Sequence, residues 1–312
     1  MSPLRANETR VASALRVLTY NVRYFAHMHP VPGASSTRRG LHAIAEALAT
    51  LDPLPHVIAL QEVEERSLRS RPGRAQDVGT DDQMRALTRA LERRLAHHER
   101  PHRYRAHHQL AHRYGLRRLP LYTTGLAWLV RGDVEVLDRD HREVTHRRAR
   151  SVSALKQSRL CMHLRVDWAG QPIDLFNTHI SLPAFFSPRT YRGPARMGWG
   201  FNQEREIESV ARFVEERVSS DRFLLMGDFN SLPESPVDER LQQALGVRNP
   251  FPYEASTWPT AGFLHLRMRL DHVFAGPGLC LEDHSGSHPF GAPSRWRGLS
   301  DHVPLVGRFT GA

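Results

Sequence analysis

Short apolar runs that end in polar residues recur along the whole chain. Such runs predict buried strands when turn-forming residues bound them. One example is Phe223–Met226, which stops at Gly227 and leads into Asp228 and Asn230 before prolines turn the chain away. The other predicted strands are residues 15–20, 56–60, 125–130, 134–137, 160–168, 173–178, 269–274 and 303–309.

Apolar residues at helical spacing predict three amphipathic helices, at residues 41–51, 84–95 and 207–218. Strands alternate with helices at first and then pair as hairpins, one of which is predicted to turn at Gly132-Asp133. This order predicts an α/β protein with mixed sheets covered by helices. No internal repeat or linker separates two cores, so residues 13–312 are predicted to form one domain after a flexible arm at residues 1–12.

Two polar stretches interrupt this pattern. Residues 97–120 are crowded with His and Arg, which indicates a solvated basic excursion or part of a polyanion-binding rim. Residues 181–201 mix aromatic residues with Arg. That composition fits stacking on bases, an interfacial membrane patch or a self-packed loop, and the sequence leaves the three open.

The chain is basic, with 43 Lys and Arg against 33 Asp and Glu and a net charge of +10. This charge favours nucleic acid or an anionic lipid surface as a partner, although biased use of Arg explains it equally well. Nothing in the sequence indicates an obligate protein partner. Cys161 and Cys280 lie in or beside apolar segments without a CxxC pattern, which predicts two buried free thiols and argues against zinc. The sequence lacks an apolar leader segment and a stretch long enough to cross a bilayer, so a cytoplasmic location is expected.

Polar residues at the ends of the apolar runs form the candidate site. Buried carboxylates are costly unless they are paired or bind a metal. Four acids, two amides and two histidines are more than capping requires, so they predict a functional cluster. Its members are Asn21, Glu62, His179, Asp228, Asn230, Asp271, Asp301 and His302.

Six segments, TYNVR, LQEVE, FNTHIS, MGDFNSLP, RLDHVF and LSDHVP, occur in this order between about Leu15 and Phe309. Together they resemble the endonuclease/exonuclease/phosphatase superfamily of DNase I-like hydrolases. The resemblance implies a four-layer sandwich in which two packed mixed sheets are flanked by helices. It also implies hydrolysis of a phosphate ester with Mg²⁺ or Mn²⁺ as the cofactor.

The resemblance also implies roles for individual residues at the metal and the water. Glu62 matches the metal carboxylate, and Asn21 and Asp301 match positions that assist at the metal or the phosphate. One or two carboxylates suffice for Mg²⁺, which prefers oxygen ligands and keeps several waters. Asp228 matches the residue that orients or deprotonates the attacking water, and Asn230 would help to hold that water or the phosphate.

The same resemblance implies roles for the two histidines and for Asp271. His302 matches the histidine that contacts the scissile phosphate, and Asp271 matches the acid that fixes its tautomer. His179 matches a second histidine, which stabilises the phosphate or protonates the leaving oxygen. Arg23 could reach a substrate phosphate or could be a surface residue. His272 is expected on the opposite face of the strand from Asp271.

The resemblance implies the reaction more sharply than the substrate. The basic charge and the expected cytoplasmic location favour a nucleic-acid phosphodiesterase, that is, a nuclease. The alternatives are a lipid or inositol phosphoesterase of the sphingomyelinase or phosphatase type, and a phosphomonoesterase for a small soluble phosphate. A catalytically silent binding module of the same fold is a further alternative, against which the intact set of site residues argues.

Overall fold

The computed structural model describes residues 14–26, 38–65, 67–68, 83–100, 102–116, 119–146, 157–183, 197–251, 258–263 and 265–312. The predicted N-terminal arm and residues 184–196 of the aromatic stretch lie outside these ranges. In chain order the elements are β1 (Leu15–Asn21), α1 (Arg38–Ala49), β2 (Val57–Val63), α2 (Gln83–His97), β3 (Tyr104–Leu116), β4 (Leu119–Arg131), β5 (Glu135–Glu143), β6 (Leu160–Trp168), β7 (Gln171–His179), α3 (Phe201–Arg217), β8 (Phe223–Asp228), α4 (Pro236–Leu245), β9 (Ala261–Phe263), β10 (Leu266–Met268), β11 (Asp271–Ala275), β12 (Leu279–Asp283) and β13 (Leu305–Gly311).

Two mixed sheets form the centre of the described structure. The first has the strand order β12-β13-β1-β2-β4-β3, in which only β1 and β2 run parallel. The second has the order β11-β8-β7-β6-β5, in which only β7 and β8 run parallel. The strands β9 and β10 form a separate two-stranded ladder, in which Ala261 also bridges to His302.

Strand alternation produces three apolar layers. Residues such as Val17 and Leu126 of the first sheet pack against Leu175 and Met226 of the second and fill the space between the sheets. The opposite face of the first sheet packs on α1 and α2, and the opposite face of the second packs on α3 and α4. The result is helices, sheet, sheet and helices, so the four-layer α/β architecture implied by the resemblance is confirmed.

The helix α4 was not expected, because Pro236 was interpreted as part of a turn. Proline is in fact well tolerated in the first turn of a helix, where its missing N–H has no intrahelical partner. Ser235 caps this helix by accepting a hydrogen bond from the backbone N–H of Asp238, and Gly246 ends it in the left-handed conformation at φ 62°.

One interpretation of this part of the chain was incomplete and another was wrong. Most of the basic stretch at residues 97–120 is the edge strand β3, paired along its length with β4. The turn at Gly132-Asp133 does not close a hairpin, because β4 lies in the first sheet and β5 pairs with β6 in the second. Apolar periodicity gives the strands but not their partners, so a short turn between sheets is indistinguishable from a hairpin turn.

Two smaller features bear on the sequence predictions. Cys161 is buried, as expected, whereas Cys280 is half-buried, so the prediction of two buried thiols was wrong for Cys280. Among the helices that the structure describes, none is both long enough and apolar enough to span a membrane.

Candidate active site

The candidate site lies where inner-face positions of both sheets reach one end of the sandwich. On β8, Leu224 and Met226 point between the sheets, so alternation also places Asp228 on that face. His179 at the end of β7 is in register with Asp228, and Asp271 at the start of β11 pairs with it from the other side. Asn21, at the end of β1, approaches from the first sheet.

Asp228 is the centre of this cluster. Its Oδ2 accepts a hydrogen bond from Asn21 Nδ2 at 2.9 Å, and its Oδ1 accepts one from the backbone N–H of Asn230 at 2.9 Å. The Nε2 atoms of His179 and His302 lie 3.5 and 3.8 Å from Oδ2. Burial, assisted by the charge of Asp271, raises the pKa of Asp228 to about 7 despite the nearby His302. The carboxyl group can therefore exchange a proton near neutral pH.

His302 and Asp271 form a buried pair, with 2.8 Å between Nδ1 and Oδ2. Burial acts to lower the pKa of His302, but the carboxylates of Asp271 and Asp228 outweigh it and raise the pKa to about 10. The imidazole is therefore protonated at neutral pH, and Nδ1–H donates to Asp271. Its Nε2–H is directed toward the Asp228 side of the site.

His179 has the opposite electrostatic environment. Burial and the charges of Arg159 and His302 hold its pKa well below the usual range, so it is neutral. Arg159 Nη1 lies 3.1 Å from His179 Nδ1, and because Arg can only donate, this contact favours the tautomer in which Nδ1 accepts and Nε2 carries the proton. That proton is near Asp228 Oδ2.

Arg159 belongs to none of the sequence motifs, but it is buried beside His179 and also contacts Ser181 Oγ at 3.4 Å. It directly precedes the apolar run of β6, and an arginine before a strand usually lies on the surface. No signal in the sequence distinguishes it; only the chain path brings it to the cluster.

Asn230 lies in a strained turn that buried side chains hold in place. Its φ is 45°, in the left-handed region that costs a non-glycine residue energy. Its Nδ2 donates to Ile180 O at 2.9 Å and lies 3.2 Å from His179 Nε2. Gln203 Nε2 donates to the carbonyl of Asn230 at 2.7 Å, and His272 Nε2 lies 2.8 Å from the carbonyl of Ser231.

His272 is fully buried and lies on the face of β11 opposite to Asp271, as alternation predicted. It therefore contacts the turn at Ser231 from the opposite face of the sheet and is not part of the cluster itself.

Glu62 reaches the cluster through a β-bulge. The pairing of β2 with β4 shifts between Gln61 and Val63, and Glu62 between them has a φ of 55°. Its Oε1 accepts a hydrogen bond from Asn21 Nδ2 at 3.2 Å and lies 4.0 Å from His179 Nε2. Burial raises the pKa of Glu62, and the negative charge of Asp301 adds to this effect.

Arg23 and Asp301 form the more open rim of the site. Arg23 Nη1 is 3.3 Å from Asp301 Oδ2, and their side chains are 44% and 26% exposed. Arg23 begins a run of three residues with positive φ, Arg23–Phe25, and its backbone N–H donates to Asn21 Oδ1 at 3.0 Å. Ser300 Oγ donates to the carbonyl of Asn21 at 2.8 Å, which ties the Asp301 segment to β1.

The structure thus brings all nine predicted residues into one network of contacts. Whether this network suits a divalent cation depends on its donor atoms. Glu62, Asp228, Asp271 and Asp301 supply carboxylate oxygens, and burial raises the pKa of Glu62, as expected for an acid without enough compensating positive charge. The buried Oδ1 of Asp271 has no hydrogen-bond partner among the described residues. These features fit Mg²⁺ or Mn²⁺, which prefer oxygen ligands.

The protonation states of the side chains bear on which of them could bind the cation. Ligand atoms of Asp228, Asp271 and His302 lie within 4.8 Å of one another. In the metal-free protein, the raised pKa of His302 keeps both of its nitrogens protonated. The oxygen-only group of Glu62, Asn21 and Asp301 fits a hard cation better.

Comparisons of the folded chain with solved structures show the fold. An endonuclease/exonuclease/phosphatase protein from Beutenbergia cavernae DSM 12333 is 19% identical, with a TM-score of 0.62, over 96% of this chain and 72% of that chain. The human nocturnin catalytic domain, solved with a bound sulfate anion, is 13% identical, with a TM-score of 0.61, over 96% of this chain and 95% of that chain. A mannosyl-6-phosphatase from Bacteroides thetaiotaomicron VPI-5482 is 14% identical, with a TM-score of 0.58, over 95% of this chain and 99% of that chain.

A comparison of the sequence with curated proteins found no match. A comparison with protein-family profiles matched residues 18–302 to the Endonuclease/Exonuclease/phosphatase family. The match begins inside β1 and ends at His302, so it includes every strand end that contributes to the cluster. From this match and the four-layer fold together, the chain belongs to the endonuclease/exonuclease/phosphatase family.

Proposed function

We propose that the cluster around Asp228 hydrolyses phosphodiester bonds and that nucleic acid is its substrate. One observation carries the proposal. A buried carboxyl group with a pKa near 7 lies between a protonated histidine and a neutral one, inside the region that matches the family. Such a group can act as a general base at neutral pH, because its pKa is close to the working pH.

In this proposal Asp228 accepts a proton from the water that attacks phosphorus. Asn21 Nδ2 and the N–H of Asn230 fix the orientation of the carboxylate. As the new P–O bond forms, the ester P–O bond breaks and the leaving oxygen takes up a proton from solvent water. Asp228 then releases the proton that it accepted to solvent and returns to the carboxylate. His179 carries a proton on Nε2 beside Asp228 and can donate a hydrogen bond to the phosphate or to the leaving oxygen.

Two cations of the chain offset the charge that develops on the phosphate. His302 holds a full positive charge and, supported by Asp271, presents Nε2–H to the site. Arg159 places a second charge behind His179. Preorganised donors in a water-poor site stabilise a transition state more strongly than they would in water.

Glu62, Asn21 and Asp301 would hold Mg²⁺ or Mn²⁺, and Arg23 would contact a substrate phosphate from the rim. The ion supplies Lewis-acid neutralisation of the phosphate oxygens when it is bound. Asn21 also bonds to Asp228, so it aligns the ion-binding side of the site with the general base.

The positive charge of the chain supports nucleic acid as the substrate. The chain carries a net charge of +10, and the hairpin from Tyr104 to Arg131 contains five arginines, three histidines and no acidic residue. A second candidate, a small phosphomonoester, is favoured by the mannosyl-6-phosphatase among the proteins of similar fold.

A substrate panel tests the proposal. Purified protein is incubated with Mg²⁺ or Mn²⁺ and with single-stranded DNA, RNA, a sugar phosphate or a lipid phosphoester, and the products are analysed. Cleavage of nucleic acid that EDTA abolishes is expected. Asp228→Asn should lower kcat by about 10²–10⁴-fold, the usual contribution of a general base. The matched control Asp138→Asn, at an exposed site on β5, should leave kcat unchanged. Intact DNA and RNA with a hydrolysed sugar phosphate or lipid would overturn the nuclease proposal.

A further inference from the structure

The hairpin of β3 and β4 extends beyond the sheet at the end that carries the candidate site. The ladder between β2 and β4 ends with Val63 opposite Gly125. The pairing of β3 with β4 continues outward from His112 and Thr124 to Leu116 and Leu119. We call residues 112–124 the arm.

Two contacts attach the base of the arm to opposite sides of the site. His112 and Thr124 face each other across the hairpin. His112 Nδ1 accepts a hydrogen bond from the backbone N–H of Ser158 at 3.2 Å, and Ser158 directly precedes Arg159. Thr124 Oγ1 lies 3.5 Å from the hydroxyl of Tyr24, which follows Arg23. The base of the arm is therefore attached both next to Arg159 and next to Arg23, two residues of the candidate site.

One face of the arm carries a row of aromatic rings. Tyr114 and Tyr122 are directly opposite each other, and their rings stack with centroids 5.4 Å apart and planes 22° apart. The His112 ring is 5.8 Å from that of Tyr122. All three residues are half-buried, and the Nε2 atom of His112 is buried. We call His112, Tyr114 and Tyr122 the aromatic row.

Strand alternation fixes the direction of this face. Leu126 and Trp128 of β4 point between the sheets, and the same alternation along β4 gives Thr124 and Tyr122 that orientation. The cluster around Asp228 opens at the end of the same inter-sheet space. The opposite face of the arm is occupied by contacts of Arg113 and Thr123 with Glu65. The aromatic row is thus on the side of the arm that faces the site.

We infer that the aromatic row binds the unpaired bases of a single-stranded nucleic acid whose scissile phosphate lies at Asp228. The inference rests on the proposed function and names the form of its substrate. Aromatic side chains stack on any unpaired base, and a basic surface attracts the phosphates between bases. The hairpin combines both properties, since it has no acidic residue. A duplex hides its bases and cannot use the row.

Binding without turnover tests the row directly. A fluorescent single-stranded oligonucleotide is titrated with the full chain in EDTA, and Kd is read from anisotropy. The double variant Tyr114→Ala/Tyr122→Ala should raise Kd about 10- to 100-fold, since stacking contributes about 1–3 kcal/mol per base. Tyr114→Phe/Tyr122→Phe keeps the rings and should stay close to the unmodified chain, which separates stacking from misfolding.

Two controls sharpen the result. Arg93→Gln removes one exposed charge from α2 in an outer helix layer and should change Kd little. A duplex of the same sequence should bind more weakly than the single strand and should not respond to the tyrosine substitutions. Equal Kd values for the alanine and phenylalanine variants would overturn the inference. A second result would also overturn it: the tyrosine substitutions weaken binding to phosphatidylserine vesicles but leave binding to the oligonucleotide unchanged.

The failure of this inference can be told from the failure of the proposed function. If no phosphoester in the panel is hydrolysed, the proposed reaction fails, while the anisotropy titration still reports on the row. If nucleic acid is cleaved and the alanine variants bind it normally, the reaction stands and the row is not its docking surface.

Discussion

At the scale of single residues, the environment of each ionisable group decides what it can do. Two histidines lie on either side of Asp228, yet the pKa of His302 is raised and that of His179 is lowered. The difference arises because Asp271 is the partner of the first and Arg159 the partner of the second. The positions of both histidines follow from the sequence motifs. Their charge states do not, because Arg159 gives no signal in the sequence.

The dependence of activity on pH should reflect the effect of Asp271 on the pKa of His302. Asp271→Asn removes a negative charge that raises the pKa of both His302 and Asp228. The alkaline limb of kcat/KM, where His302 loses its proton, should therefore move to lower pH. The acidic limb, where Asp228 gains a proton, should move in the same direction. Profiles of both proteins at saturating metal measure the shifts, and an alkaline limb that stays in place would contradict the role assigned to His302.

At the scale of elements, the strands that deliver the site were predictable and the segments around them were not. The runs at residues 15–20, 56–60 and 223–226 became β1, β2 and β8, because continuous apolar stretches have few alternatives to a central strand. The strand β3 was missed because the solvent-facing side chains of an edge strand resemble a polar loop. The bulge at Glu62 was missed because it depends on the register between strands.

The helix α3 should matter to catalysis through Gln203, which lies in its first turn. Gln203 Nε2 donates to the carbonyl of Asn230, and its Oε1 accepts from the N–H groups of Gly198 and Gly200. Gln203→Ala should lower the free energy of unfolding by about 1–3 kcal/mol, because buried polar groups lose their partners. It should also lower kcat more than it changes KM, because the strained turn relaxes.

A conservative variant separates the two effects. Gln203→Glu keeps an acceptor for the glycine N–H groups but, as a carboxylate, cannot donate to Asn230. Urea unfolding and steady-state kinetics measure stability and kcat, with the exposed Gln243→Ala as the control. If Gln203→Glu restores both stability and kcat, the hydrogen bond to Asn230 has no part in positioning the turn.

At the scale of the whole molecule, the cluster of buried acids should link stability to pH and to metal. The folded-state pKa of Asp228 is raised to about 7, so its stabilising contribution is present at low pH and is lost as the pH rises through 7. The folded-state pKa of His302 is raised to about 10, so its contribution is complete below the ordinary value near 6.5 and is lost through 10. The metal-free protein should therefore lose stability from about pH 4, where an ordinary Asp ionises, to about pH 10, where His302 loses its proton.

Addition of Mg²⁺ or Mn²⁺ should reverse this loss. A cation that binds only the folded state raises the Tm, and the increase should be larger at alkaline pH, where the carboxylates are ionised. Glu62→Gln should reduce the increase, whereas Glu239→Gln, at an exposed position on α4, should not. Thermal melts with EDTA and with each metal provide the measurement. An equal increase for the unmodified chain and for Glu62→Gln would exclude Glu62 as a ligand.

At the site, a 2.9 Å hydrogen bond from Asn21 on β1 to Asp228 on β8 joins the two sheets. Below it, Gln61 of the first sheet donates to Thr19 at 2.9 Å and to Asn177 of the second sheet at 2.8 Å. A slip of one sheet past the other by a single residue, about 3.3 Å, would break the bonds from Asn21 to Asp228 and from Gln61 to Asn177, while every ladder within each sheet stays intact. On warming, turnover should consequently disappear at temperatures where circular dichroism still reports full strand and helix content.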